Sequence, residues 1–249
     1  MKTRVTQLFA AIAVSLSACG GGRDSAAANA APSPIPAASY STNFGLTENP
    51  ISEGGKWING KAVGIDWNNV QSVPGKAYAA DFTGLPSRYS DPIAHLNTSF
   101  TANQYAQGTV SRVPGYRNTN DLHEIELLLR FQITANNARG YEVLWGQDGQ
   151  MAIVRWNGPV GDYTPLVDRL RIGQALDGDV LRAQIIGNMI RVYKNGTLVA
   201  IATDSTYSTG QPGMGFWPTP GSTLQSYGWK SFEAGSLQKR SGSASLNSA

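Results

Sequence analysis

Beyond residue 76 the chain consists of short runs of β-branched, aromatic and alternating apolar residues, each bounded by turn formers. Such runs predict strands. They fall at 77–82 (AYAADF), 104–113 (QYAQGTVSRV), 123–134 (HEIELLLRFQIT), 141–146 (YEVLWG) and 151–156 (MAIVRW). Others follow at 179–187 (DVLRAQIIG), 189–194 (MIRVYK), 197–203 (TLVAIAT) and 227–234 (YGWKSFEA). The sharpest local signal is RVYKNGTLVA, where Asn195-Gly196 suits the two φ > 0 positions of a type I′ turn. Gln147-Asp148-Gly149-Gln150 predicts a second hairpin. No stretch after the N-terminal segment keeps a helical period with caps over about 12 residues. The nearest, LVDRLRIGQAL at 166–176, reads as a loop or a single helical turn. Antiparallel strands joined by short turns lead to an all-β fold, a two-sheet antiparallel β-sandwich.

The N-terminus breaks this pattern. MKTRVTQLFAAIAVSLSAC starts with Lys2 and Arg4, continues as an apolar run from Leu8 to Leu16 and closes on small residues. A basic segment, a short apolar segment and a small-residue exit describe a secretory signal over 1–18. The run falls short of the roughly 20 apolar residues that span a bilayer. The tetrad LSAC resembles the lipobox of bacterial lipoproteins. That resemblance implies that Cys19 becomes the first mature residue and carries acyl chains, which anchor to a membrane through about 0.8 kcal/mol per buried CH2. Gly20, rather than Asp, follows the cysteine, which favours the outer over the inner membrane for the exported protein. Residues 19–42 are rich in Gly, Ala, Ser and Pro and read as a disordered tether, as does the tail at 236–249. Residues 43–235 then form one β domain.

Composition narrows the function classes. Cys19 is the single cysteine, so no intrachain disulfide is expected in the exported protein. Removing 1–18 takes away two cations, and the net charge falls from +3 to +1. A near-neutral chain without a Lys/Arg stripe carries no electrostatic footprint for nucleic acid. Sparse charge and 28 glycines suit a turn-rich β domain.

The order of phrases from about Phe44 to Ala234 is similar to the concanavalin A-like, laminin G-type jelly roll. The phrases are GYEV at 140–143, GNMIRVYKNG at 187–196 and DSTYSTGQPG at 204–213. Several are structural requirements, including Gly187 in a tight turn and Gly213 and Gly215 at close strand approaches. The resemblance implies a glycan-binding or polysaccharide-degrading role. Glucanases of this fold carry E-x-D-x-x-E on one strand; here Glu124-Ile125-Glu126-Leu127-Leu128-Leu129 has Glu in the middle and an apolar residue in place of the last acid. Glu124 and Glu126 therefore read as acids on one strand face, and no catalytic residue is assigned. Of the alginate-lyase motifs only one arginine of LLLRF survives, and no Q-[IV]-H occurs. His95 and His123 have no partner in the sequence and read as structural. Asp177-Gly178-Asp179 suits a turn and, by its oxygens, a structural calcium ion; no other cofactor is expected.

A binding face remains. Pairing Arg130 with Trp145 and Gln132 with Val143 gathers Arg130, Gln132, Tyr141 and Trp145 on one side of a sheet. Setting Gly146 opposite Met151 adds Trp156 to that side, facing Tyr141, and puts Glu142 against Arg155 on the other. Trp217, in GFWPTPG, is a further candidate. Aromatic rings beside amide and guanidinium donors suit a sugar's C–H face and hydroxyl rim; the same residues fit a sandwich core equally well. Trp57 and Trp229 read as core closure. The expected function is a membrane-anchored, non-catalytic glycan-binding module with a polysaccharide partner. A polysaccharide-active enzyme with an atypical site and a structural or adhesion lipoprotein are the alternatives.

Overall fold

A computed structural model describes residues 38–61, 67–80, 91–116, 123–134, 137–218 and 223–238. The signal segment, Cys19, most of the expected tether and the tail from 239 lie outside the described residues. The described chain folds as a two-sheet antiparallel β-sandwich with jelly-roll connectivity. Sheet I holds β1 (Ser39–Thr42), β3 (Val70–Val73), β4 (Lys76–Ala79), β6 (Gln104–Arg112), β11 (Val180–Ile186), β12 (Met189–Lys194), β13 (Thr197–Thr203) and β15 (Tyr227–Ser236). Sheet II holds β2 (Trp57–Asn59), β5 (Ile93–Leu96), β7 (Glu124–Thr134), β8 (Asn137–Gly146), β9 (Gln150–Gly158), β10 (Tyr163–Arg171) and β14 (Gln211–Trp217).

Their spatial orders are β13-β12-β11-β6-β15-β4-β3 and β10-β9-β8-β7-β14-β5-β2. The chain changes sheet at β1–β2, β2–β3, β4–β5, β5–β6, β6–β7, β10–β11, β13–β14 and β14–β15. These crossings make a jelly roll rather than two stacked meanders.

Alternation explains the interior. Ile125, Leu127 and Leu129 of β7, Tyr141, Val143 and Trp145 of β8, and Met151 and Ile153 of β9 meet Val110, Leu181, Val192 and Trp229 of sheet I between the layers. The alternate residues Leu128, Ala152, Val154 and Trp156 join Trp67 and Ile93 in a smaller apolar layer on the outer side of sheet II. β7 is therefore covered on both faces, which is why its sequence is nearly continuous in apolar residues. Gly108 leaves room for Trp229, since a Cβ there would stand 2.4 Å from the indole.

The Asn195-Gly196 hairpin forms with φ values of 49° and 80°, and the turn at 147–149 joins β8 to β9. Trp57 and Trp229 are buried in the main core, as expected.

Two expectations are corrected. Residues 39–42, placed in the tether, form β1, which pairs with β15 from Ser39↔Gly235 to Thr42↔Phe232. Beyond the point where Trp229 meets Ala77 of β4, the β15 edge has open backbone groups that β1 satisfies. Tyr40 is fixed there by its hydroxyl bond to Glu53 and by its ring, 5.5 Å from that of Trp57. Residues 163–171, whose latter part read as a loop or helical turn, form the edge strand β10. Its register against β9 shifts twice, and Arg169 takes φ of 48°. Bulges insert residues out of phase, so the period of two that marks a strand is erased from the sequence.

Candidate functional site

The binding face expected from sequence splits between the two sides of sheet II. Ile125, not Arg130, stands opposite Trp145, and Trp145, not Gly146, stands opposite Met151. The second difference is a single residue, and with a side-chain period of two it exchanges the faces. Tyr141 and Trp145 are fully buried between the sheets. The Tyr141 hydroxyl donates to Asp204 Oδ1 at 2.7 Å, and Trp145 Nε1 donates to the Gly173 carbonyl at 3.0 Å. Arg155 faces Tyr141 and pairs with Asp204 at 2.6 Å; Glu142 instead faces Val154.

Arg130 is not a ligand donor either. It sits at the bulge in β7, with φ of 48° and only 3% exposed. Its guanidinium donates to the carbonyls of Ala102 (2.8 Å), Tyr207 (2.8 Å) and Gly187 (2.6 Å). It ties three loops together. Gln132 is similarly occupied, donating to Thr209 O at 3.1 Å and accepting from Arg139 Nη2 at 3.2 Å.

Trp156 and Trp217 point the other way. On the outer side of sheet II they line a groove of about 570 Å³. Trp156 lies edge-on to Trp67 (4.5 Å between ring centroids) and to Tyr163 of β10 (5.2 Å). Tyr163 is 43% exposed and offers a ring face at the rim. The bulged β10 adds Pro165, Asp168 and Arg169 to the wall, and Trp217 ends β14 on the side of Glu124, its partner in register.

Carboxyl groups line the rest. Glu124 of β7, Glu142 of β8, Asp91 ahead of β5 and Asp148 of the β8–β9 turn border the groove, and Glu126 lies in the same sheet face, 1% exposed. Gly215 makes this possible: a Cβ there would fall 2.2 Å from Glu126 Oε2. Glu142 Oε2 accepts from Trp156 Nε1 at 2.7 Å. Glu126 Oε2 is buried without a hydrogen-bond partner among the described residues. Burial, then repulsion from Glu142, holds Glu126 and Asp91 well above the usual carboxylate range. Glu124 is raised by the same causes. Glu142 is pushed up to about 7 by burial, opposed by its bond from Trp156.

Glu142 occupies a notable place. In register it is the partner of Leu128, the apolar residue two positions beyond Glu126 on the same strand face. A third carboxyl thus reaches this face from the neighbouring strand. Glu124 and Glu126 are legible in the sequence, whereas Glu142 comes to this face only through the one-residue slip, and no local pattern marks Asp91 or Tyr163.

The other sequence candidates are structural. His95 is buried, its pKa lowered by burial, with Nδ1 bonded to the Leu96 carbonyl at 2.8 Å. His123 is enclosed against Tyr227, and burial pushes its pKa down to about 4. Asp177 accepts from Arg112 N (2.9 Å) and Lys230 Nζ (2.6 Å), and Asp179 from Leu176 N and Asn195 Nδ2 (both 2.9 Å). This loop is a turn held by protein donors. Among the described residues no three His, Cys, Asp or Glu side chains gather as metal ligands.

No protein-family model matches the chain, and no curated protein matches it. Among solved structures it is similar to a carbohydrate-binding module from Bacillus subtilis (13% identity, TM-score 0.49, covering 75% of this chain and 95% of that one). It is also similar to a beta-glucanase of Bacillus licheniformis (14%, TM-score 0.45, 79% and 94%). A beta-porphyranase from Bacteroides plebeius aligns at 10% identity (TM-score 0.45, 79% and 89%). Likenesses this remote carry no residue's role across to this chain.

Proposed function

We propose that the protein binds a glycan in the groove on the outer face of sheet II. The observation that carries this reading is the joining of aromatic rings and carboxyl groups in one open concavity. Trp156, Tyr163 and Trp217 border the space above Glu124, Glu142 and Asp91. Sugar rings have apolar C–H faces that stack on such rings and hydroxyl rims that bond to carboxyl oxygens. Tyr163 is the discriminating residue because it is exposed and its loss leaves the core intact. Tyr163→Ala should weaken binding on a glycan array by up to roughly tenfold, a stacking loss of about 0.5–1.5 kcal/mol, without moving Tm. Unchanged binding in this variant would refute the groove as the site.

One observation favours a second reading, a polysaccharide-active enzyme. Burial raises both Glu126 and Glu142 above the usual carboxylate range, Glu142 to about 7, the kind of tuning that general acid–base chemistry uses. Binding is preferred because Glu126 and Glu142 are only 1% and 2% exposed and form the floor. Reducing-sugar release that disappears in Glu126→Gln, with binding retained, would establish the enzyme instead.

We further propose that Cys19 carries the lipid anchor, with outer-membrane location favoured. LSAC and the tether after it support this. Cys19→Ser should release the protein from the membrane fraction or leave it as uncleaved precursor. Processed, membrane-bound Cys19→Ser protein would overturn the anchor.

A further inference from the structure

We propose that the groove accepts uncharged glycans and excludes those bearing carboxylate or sulfate groups. This rests on the saccharide reading above and adds the class of sugar. The acids that line the groove are Asp91, Glu124, Glu142, Asp148 and Asp168, supplied by five separate parts of sheet II and its turns. Glu126 stands behind Glu142 on the same face. Among the described residues the one cation that lines the groove is Arg169, whose side chain is 81% exposed and lies 3.9 Å from Asp168.

A uronic or sulfated sugar leaves water only where a desolvated guanidinium or ammonium meets its charge. Here the anion meets carboxyl groups, and like charges brought together in a partly buried site repel strongly. An uncharged sugar avoids that penalty. Its hydroxyls donate to the ionised carboxylates and accept from the protonated ones, and its C–H faces rest on Tyr163 and Trp217, with Trp156, only 4% exposed, packed behind Tyr163.

The electrostatics also set a direction with pH. Asp91, Glu124, Glu126 and Glu142 hold their protons to higher pH than ordinary carboxyls because they are buried together. Among the described residues the remaining charged or titratable groups on the groove are Asp148 of the turn and Tyr163, Asp168 and Arg169 of β10. As pH rises through about 7 Glu142 ionises, the groove becomes more negative, and rejection of an anionic glycan deepens.

The test uses the whole chain and polymers matched in backbone but not in charge. Hydroxyethyl cellulose is set against carboxymethyl cellulose, and desulfated carrageenan against its sulfated parent, by titration calorimetry. The neutral member of a pair should bind at least about tenfold more tightly near pH 8, and the gap should narrow near pH 5. Glu124→Gln with Asp148→Asn should also narrow it. If that double variant fails to fold, Asp168→Asn, on a side chain 65% exposed, should shift the ratio in the same direction to a smaller extent. A charged polymer that binds as tightly as its neutral partner overturns the selectivity and leaves glycan binding standing. Failure of every neutral and charged polymer, with no hit on a glycan array, overturns both.

Discussion

The carboxyl cluster predicts that the protein loses stability as pH rises through neutrality. Glu142 has an ordinary pKa of 4.5 in the unfolded chain and is pushed up to about 7 in the fold. Below about 4.5 both states carry the proton and burial costs nothing extra. Between about 4.5 and 7 the unfolded chain releases the proton while the native state keeps it, so stability falls with pH, and above 7 the loss is complete. At about 1.4 kcal/mol per pH unit the difference is about 3 kcal/mol. Asp91, Glu124 and Glu126 are raised too and act in the same direction. Asp177 and Asp204, whose pKa values are lowered, act oppositely, but only below their ordinary 3.8.

Glu142→Gln isolates the effect. The amide oxygen still accepts from Trp156 Nε1, which donates to Glu142 at 2.7 Å, and no charge is buried. In urea unfolding at about pH 5 the variant should exceed the wild type by less than about 1 kcal/mol, and at about pH 8 by up to about 3 kcal/mol. A wild type equally stable at both pH values, with a variant weaker at both, would show that Glu142 is ionised and well compensated in the native state. The burial argument for the groove floor would then be wrong.

Further outcomes follow from the same packing. Trp145→Ala should cost about 3–5 kcal/mol in chemical denaturation, because the indole is fully buried and its N–H is bonded to Gly173; a small loss would return it to the surface. Gly196→Val should cost about 1–2 kcal/mol; a Cβ there meets no atom within 4 Å, so the cost comes from φ of 80° alone and an unchanged Tm would refute the turn. Gly215→Ala should destabilise the domain or displace Glu126, whose Oε2 occupies the added methyl's place; Gly215→Ala combined with Glu126→Ala should recover part of the loss measured by thermal melting. Arg130→Met should destabilise by roughly 3 kcal/mol or more, since three carbonyls lose a charged donor at once; a near-neutral result by denaturation would show that water replaces it.

The local pattern of the chain determined the class of fold. Alternating runs gave the long strands β6 to β9, β11 to β13 and β15, and Asn195-Gly196 gave its hairpin, because side-chain period and turn chemistry are properties of neighbouring residues. The acids Glu124 and Glu126 were visible for the same reason, two positions apart on one strand. What the chain could not specify locally was which residues stand opposite each other. Trp145 rather than Gly146 faces Met151, and that one step moved Trp145 and Tyr141 into the interior and brought Glu142 to the groove. Nothing local to Arg130 marks it as the clamp of three loops, since its acceptors lie at 102, 187 and 207. β10 escaped because its bulges destroy the period, and β1 because four residues carry too little pattern. Register is decided by how a whole apolar face fills the space between two sheets, and the groove, assembled from β7, β8, β9, β10, β14 and the approach to β5, exists only after that choice is made.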